Sequence, residues 1–242
     1  MTITQIEIDC TKGKSFNYIE HKFDSTSDKS TLIELVKKGQ ELAEIVNPTL
    51  ARDSEQRRTP NVKIKDCIGG MIAEYCWRSW LNSYLKSKGI KAQVNETDLE
   101  DVGKQIDLEI QYESGKTKTI EVRSSFAYAG VGAAICRNFR ILGPYYNKVK
   151  KIEYLKDYHV MAIYSFHKDN LLDELRSGAF KAYLTGGATK YLLQTSPHVS
   201  DEELTPMDEI SFSSSRATYR VIYPIVNGLD TIAISEAISK MI

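Results

Sequence analysis

Apolar positions change their period several times along the chain, and each change marks a predicted element. Residues 3–9 alternate, with Ile3, Gln5 and Glu7 on one side and Thr4, Ile6 and Ile8 on the other, which is weak strand patterning. A polar stretch follows at 24–29. Thr31 and Glu34 then form a capping box, and Leu32, Leu35, Val36, Leu42 and Ile45 line one side of a helix that Asn47-Pro48 stops. Residues 49–61 are polar, carry Arg52, Arg57 and Arg58, and read as a mobile loop. A longer helix is predicted over 65–88. Ile68, Met71, Ile72, Tyr75, Trp80, Tyr84 and Leu85 give it a broad apolar side, and Gly89 terminates it. Glu74 sits in its middle.

Further on, the pattern predicts a short strand at 90–94, an acidic loop and a hairpin over 105–123. Residues 158–166 read as a buried strand, 171–184 as a helix, 210–226 as strand-rich and 232–241 as a closing helix. No internal repeat, low-complexity tract or interdomain linker interrupts the chain. These elements predict an α/β fold in which the hairpin and the strand at 158–166 form a central mixed β-sheet flanked by α-helices.

The hairpin register follows from hydrophobicity. Two alternating runs, Gln105 to Ile110 and Thr117 to Arg123, surround Ser114-Gly115. A three-residue loop Glu113-Ser114-Gly115, with Gly115 in the left-handed position, sets Ile106 opposite Val122 and Leu108 opposite Ile120. One face is then wholly apolar. The same register sets Asp107 opposite Glu121, with Glu109, Thr119 and Arg123 on their side. A two-residue loop slips the pairing by one and mixes the faces, which a half-buried sheet does not tolerate.

Carboxylates facing each other across a ladder have Cβ atoms about 5 Å apart, and they repel unless a proton or a cation lies between them. A hard divalent ion suits that gap. Mg²⁺ takes oxygen ligands at about 2.0–2.1 Å and keeps several waters, so two carboxylates and a phosphate oxygen suffice. An ion held there can activate water and neutralise charge developing on a phosphodiester.

The succession of a helix with an internal Glu (Glu74), a strand bearing Asp (Asp107), a hairpin return reading Glu-x-Arg (Glu121, Arg123) and a following strand at 158–166 resembles the core of the PD-(D/E)XK, or restriction-endonuclease-like, nucleases. The resemblance covers residues 66–166. It implies that Asp107 and Glu121 hold Mg²⁺, with Mn²⁺ as a substitute, that Glu74 helps a second metal or its water, and that Arg123 orients the attacking water. It also implies a single nuclease domain over 1–242, with an N-terminal elaboration at 1–64, the catalytic core at 65–166 and a C-terminal elaboration at 167–242. The chain departs from the family pattern twice. Ile106 stands in place of Pro, and Arg123 stands in place of Lys, whose compact ammonium group a guanidinium fork mimics poorly. A short chain without helicase motifs is most similar to a Type II restriction endonuclease cutting double-stranded DNA as a homodimer. Two alternatives stay open: a catalytically inactive DNA-binding or assembly protein on the same fold, and a repair or phage nuclease acting on ends or branches.

Composition narrows this reading. Lys and Arg total 32 and Asp and Glu total 32, so the chain as a whole does not attract phosphate and any DNA surface must be local. Arg137, Arg140, Tyr145, Tyr146, Lys148, Lys150 and Lys151 form such a stretch directly after the hairpin, and the three lysines and two arginines are the expected phosphate contacts. Gly186-Gly187-Ala188-Thr189-Lys190 lacks the spacing of a phosphate loop. His159, His167 and His198 have no partner spacing, and His159 reads as a structural residue of a buried strand. The four cysteines show no CxxC pairing and are expected as reduced thiols. No apolar run approaches the roughly 18 residues of a membrane span, so a cytoplasmic protein is expected.

Overall fold

A computed structural model describes residues 1–10, 13–24, 26–45, 59–97, 107–146, 154–204 and 217–240. The strands are β1 (Thr2–Cys10), β2 (Lys14–Lys22), β3 (Ala92–Glu96), β4 (Leu108–Tyr112), β5 (Thr117–Phe126), β6 (Ile141–Tyr146), β7 (Tyr158–Tyr164), β8 (Lys181–Thr189), β9 (Val199–Leu204) and β10 (Ala217–Ile222). The α-helices are α1 (Lys29–Ile45), α2 (Pro60–Ser87), α3 (Val131–Ala133, continued by a π-helical turn Ala134–Asn138), α4 (Leu171–Arg176), α5 (Lys190–Thr195) and α6 (Thr231–Ser239).

Seven strands form one mixed sheet in the order β1-β2-β8-β7-β5-β4-β3. Its neighbours are antiparallel except for β5 and β7, which run parallel. The expected α/β architecture, a central mixed sheet with helices against it, is therefore present. All seven residues of β7 are buried, which is why its sequence is continuously apolar apart from His159.

One face of the sheet is covered by α1, α2 and α6. Ile68, Ile72, Trp77, Leu81 and Leu85 of α2 share a core with Ile120 and Val122 of β5 and with Tyr158, Val160, Ala162 and Tyr164 of β7. Helix α2 begins five residues before the apolar pattern does. The hydroxyl of Thr59 accepts the Val62 N–H at 3.3 Å, and Pro60 occupies the first turn, where its missing N–H is not needed. Ile45, expected on the apolar side of α1, is exposed.

The other face carries a second core, in which Met161, Ile163 and Ala188 of the main sheet pack with Ala134, Ile135, Ile141, Leu193 and Ile222. A three-stranded antiparallel sheet, β6-β10-β9, lies on this side. It draws β6 out of the stretch read from sequence as a basic surface segment.

Two further expectations change, and one strand is new. The helix predicted over 171–184 is the short α4 followed by β8, whose residues alternate between the two cores and are held by β2 and β7 on either side. Strand β2 had no counterpart in the sequence reading. Cys10 and Cys136 form a disulfide with Cα atoms 5.4 Å apart across a separation of 126 residues, and Cys67 and Cys76 are outside any disulfide. Spacing along the chain carries no sign of so distant a pairing. Among the described residues no helix is long and apolar enough to cross a membrane.

Candidate active site

The hairpin β4–β5 folds in the register that hydrophobicity selects. Leu108 faces Ile120 and Glu109 faces Thr119. The loop is Glu113-Ser114-Gly115, closed by the Tyr112 N–H on the Lys116 carbonyl at 3.0 Å, and Gly115 has φ +80°, where a side chain would be strained. Continued by one residue, this register places Asp107 beside Glu121. The Asp107 carboxylate accepts the main-chain N–H of Val122 at 2.7 Å, which fixes it against β5.

Alternation along β5 turns Ile120 and Val122 toward α2 and sends Glu121 and Arg123 to the opposite face. That face is not open to water as a two-layer sheet would leave it, because β6 and its neighbours cover it. Glu121 is consequently only 4% exposed. Its Oε1 takes a 2.8 Å ion pair from Arg123 Nη2, and the Arg123 guanidinium lies over the Tyr145 ring of β6 at 5.4 Å from the centroid. Tyr145 in turn stacks on Tyr219 of β10, centroids 5.0 Å apart. The small sheet thus supplies an aromatic support for the Arg123 guanidinium that pairs with Glu121.

Strand β7 adds a residue that sequence reasoning set aside. His159 is the parallel-ladder neighbour of Glu121 and is fully buried. Its Nε2 accepts the Lys156 N–H at 3.2 Å. Burial first, then the charges of Arg123 and Lys156, push its pKa down to about 3, against a weaker pull from the Leu142 carbonyl, so the ring is neutral at working pH. Lys156 is itself only 6% exposed. Next to it, Asp157 ties the approach to β7 onto the start of β5. It accepts from Thr119 N–H at 3.0 Å, Thr119 Oγ1 at 3.1 Å and Lys118 Nζ at 2.9 Å. Burial alone would raise the Asp157 carboxyl, but these donors outweigh it and hold the group below its ordinary value. Only the parallel register of β5 on β7 brings His159 and Lys156 here, and no local pattern in the sequence encodes it.

The other expected site residues are dispersed. Glu74 is half-buried on α2 and acts electrostatically on the Tyr164 hydroxyl, which donates to the Gly69 carbonyl of the same helix. It therefore belongs to the helical layer, across β5 from Glu121. Arg78, one turn further along α2, pairs with Glu96 at 3.0 Å. Of the expected phosphate contacts, Arg137 is exposed, and its carbonyl accepts the Tyr223 hydroxyl at 2.6 Å. Arg140 is engaged within the chain, its Nε on Glu202 and its guanidinium over the Tyr223 ring at 4.4 Å. Lys148, Lys150 and Lys151 lie outside the described residues.

Gly186 and Gly187 have a packing role that accounts for the glycine-rich run. A Cβ on Gly187 would fall 2.1 Å from the His159 carbonyl oxygen, and one on Gly186 2.1 Å from that of Leu229. The pair lets the main chain of β8 lie tight against β7 and the segment before α6, and Thr189 beyond it accepts the Leu192 N–H to begin α5.

Among the described residues no three His, Cys, Asp or Glu side chains converge as a metal-binding group, so the candidate donors are the two carboxylates Asp107 and Glu121. A scan against protein-family models, a search of curated proteins and a search of solved structures each find no match.

Proposed function

We propose that this chain is a divalent-metal-dependent nuclease of the PD-(D/E)XK kind acting on double-stranded DNA, most similar to a Type II restriction endonuclease. The observation that carries the reading is the hairpin register, which pairs Leu108 of β4 with Ile120 of β5 and, continued by one residue, sets Asp107 opposite Glu121, in a sheet where β5 runs parallel to β7.

The donor chemistry fits a hard cation. Each carboxylate has about four lone-pair sites; the N–H of Val122 binds the Asp107 group and the guanidinium of Arg123 the Glu121 group. Mg²⁺ or Mn²⁺ held by Asp107 and Glu121 would supply Lewis-acid polarisation of a phosphate and a more acidic water. Val122 fixes the position of the Asp107 carboxylate. Arg123, steadied by Tyr145, keeps a permanent positive charge beside Glu121 that suits a phosphate oxygen, and its very high pKa bars it from acting as a base. His159, neutral and buried, adds no charge of its own.

One observation favours a second reading. Arg123 already satisfies Glu121 with an ion pair in a nearly closed setting, the arrangement expected of a DNA-binding or assembly protein that has kept the fold without the chemistry. Purified protein incubated with closed circular plasmid and Mg²⁺ or Mn²⁺ separates the two. Nicking or cutting is expected, abolished by Asp107→Ala and by Glu121→Gln. Plasmid left intact by the native chain and by Arg123→Lys alike would decide for the inactive protein. Cleavage confined to linear or branched DNA would point to a repair or phage nuclease.

A further inference from the structure

The seven-stranded sheet has two edges, and they are treated differently. Strand β3 is five residues long and its outer side is guarded: the Asn82 side chain of α2 donates to the Val94 carbonyl at 2.9 Å and accepts the Val94 N–H at 2.9 Å. Lys38 and Arg78 both pair with Glu96 at its end. Strand β1 is nine residues long and is paired with β2 over its whole length without a bulge. Among the described residues no hydrogen bond from outside this ladder reaches the main chain of β1. It carries no Lys, Arg or Pro, and its charges are Glu7 and Asp9 alone, so alternate N–H and C=O groups along it are presented for pairing.

We propose that β1 is a dimerisation edge, and that its occupant is a second copy of the chain, paired antiparallel β1 to β1 about a twofold axis at Ile6. A twofold axis normal to the sheet keeps each side chain on its own face, so only residues of equal parity can oppose one another. With the axis at Ile6, Ile6 faces its copy, Thr4 faces Ile8, Gln5 faces Glu7, and Ile3 faces Asp9. All nine residues pair, and no two acids oppose. An axis at Glu7 or Ile8 would set Glu7 against Glu7 or Asp9, and an axis at Gln5 leaves Cys10 without a partner strand. β1 is thus complementary to itself. The pairing uses up both open edges and leaves two guarded β3 edges outermost, so assembly stops at two copies.

Gln5 and Glu7 are both exposed, so placing a charge at residue 5 tests the register without entering the core. Sedimentation equilibrium of the full chain should give a dimer. Gln5→Lys, facing Glu7 twice in the pair, should tighten its Kd by about 2- to 30-fold, and Gln5→Glu should weaken it by a similar factor. Circular dichroism should be unchanged for both. A monomer at every concentration would leave the edge to a strand from a different protein and would overturn the proposal. So would a dimer indifferent to both substitutions or an open-ended aggregate, and weakening by both would overturn the Ile6 axis.

Discussion

Glu121 and Arg123 face each other at 2.8 Å in a place that water barely reaches, so deleting one side chain strands the other's charge. Glu121→Ala is accordingly expected to lower the unfolding free energy by about 3 kcal/mol in urea denaturation. The exposed Glu113→Ala, which breaks only a surface pair with Lys91, should cost no more than about 1 kcal/mol. Equal costs for the two would mean that the Glu121 pair contributes nothing beyond a surface contact. The glutamine variant keeps the size and an acceptor oxygen at residue 121, which is why it is the better probe of chemistry. Asp107, Glu121 and Arg123 were legible in the sequence because strand alternation alone decides which side chains share a face. His159 and Lys156 were not. Their neighbourhood arises from a parallel pairing whose two strands are separated by α3 and β6, and tertiary packing rather than local period sets that register.

At the level of elements, the hairpin could be read to the residue because an error of one position would have buried charges on the helical side. Of the second sheet, only β10 fell within a stretch read as strand, 210–226, while β6 and β9 did not. Gly143-Pro144 punctuates β6 as a loop would, yet β6 is an edge strand, where proline is tolerated. Missing that sheet had a direct consequence, since the polar face of the hairpin was expected in solvent and is in fact roofed. Strand β8 was lost for another reason: an apolar run with neighbours on both sides looks the same in helix and strand until its partners are known. Its glycines can be tested directly. A methyl group on Gly187 meets the His159 carbonyl oxygen at 2.1 Å, a main-chain atom that cannot swing away, so β7 or β8 must shift. Gly187→Ala should destabilise the chain by about 3 kcal/mol or more, measured by chemical denaturation, and because His159 neighbours Glu121 it should also impair any cleavage activity. A variant as stable as the native chain would show that the strands are not so closely opposed.

The molecule as a whole stores two neutral histidines in separate cores, and this sets how it should respond to acid. His21, in β2, is fully buried; burial first, then the amino-terminal charge beside it, bring its pKa down to about 4. His159, in β7, falls to about 3 for the reasons given above. In the unfolded chain both return to about 6.5. Folded values below unfolded ones mean that the unfolded state binds more protons, so stability rises with pH across the interval between them. The contribution is fully present above about pH 6.5 and is lost as pH falls toward about 4 for His21 and about 3 for His159. Each histidine then contributes a slope of about 1.4 kcal/mol per pH unit within its window. The carboxylates held low by hydrogen bonds, among them Asp24, Asp157 and Asp169, lose their contribution only below the ordinary carboxyl range, so the histidines govern the first part of the acid limb. Unfolding free energies from urea titrations between pH 7.5 and 4.5 should therefore decline steadily from about pH 6.5, and His21→Asn should remove about half of the slope. A profile that stays level down to pH 4.5 would mean that neither ring is held neutral in the native fold.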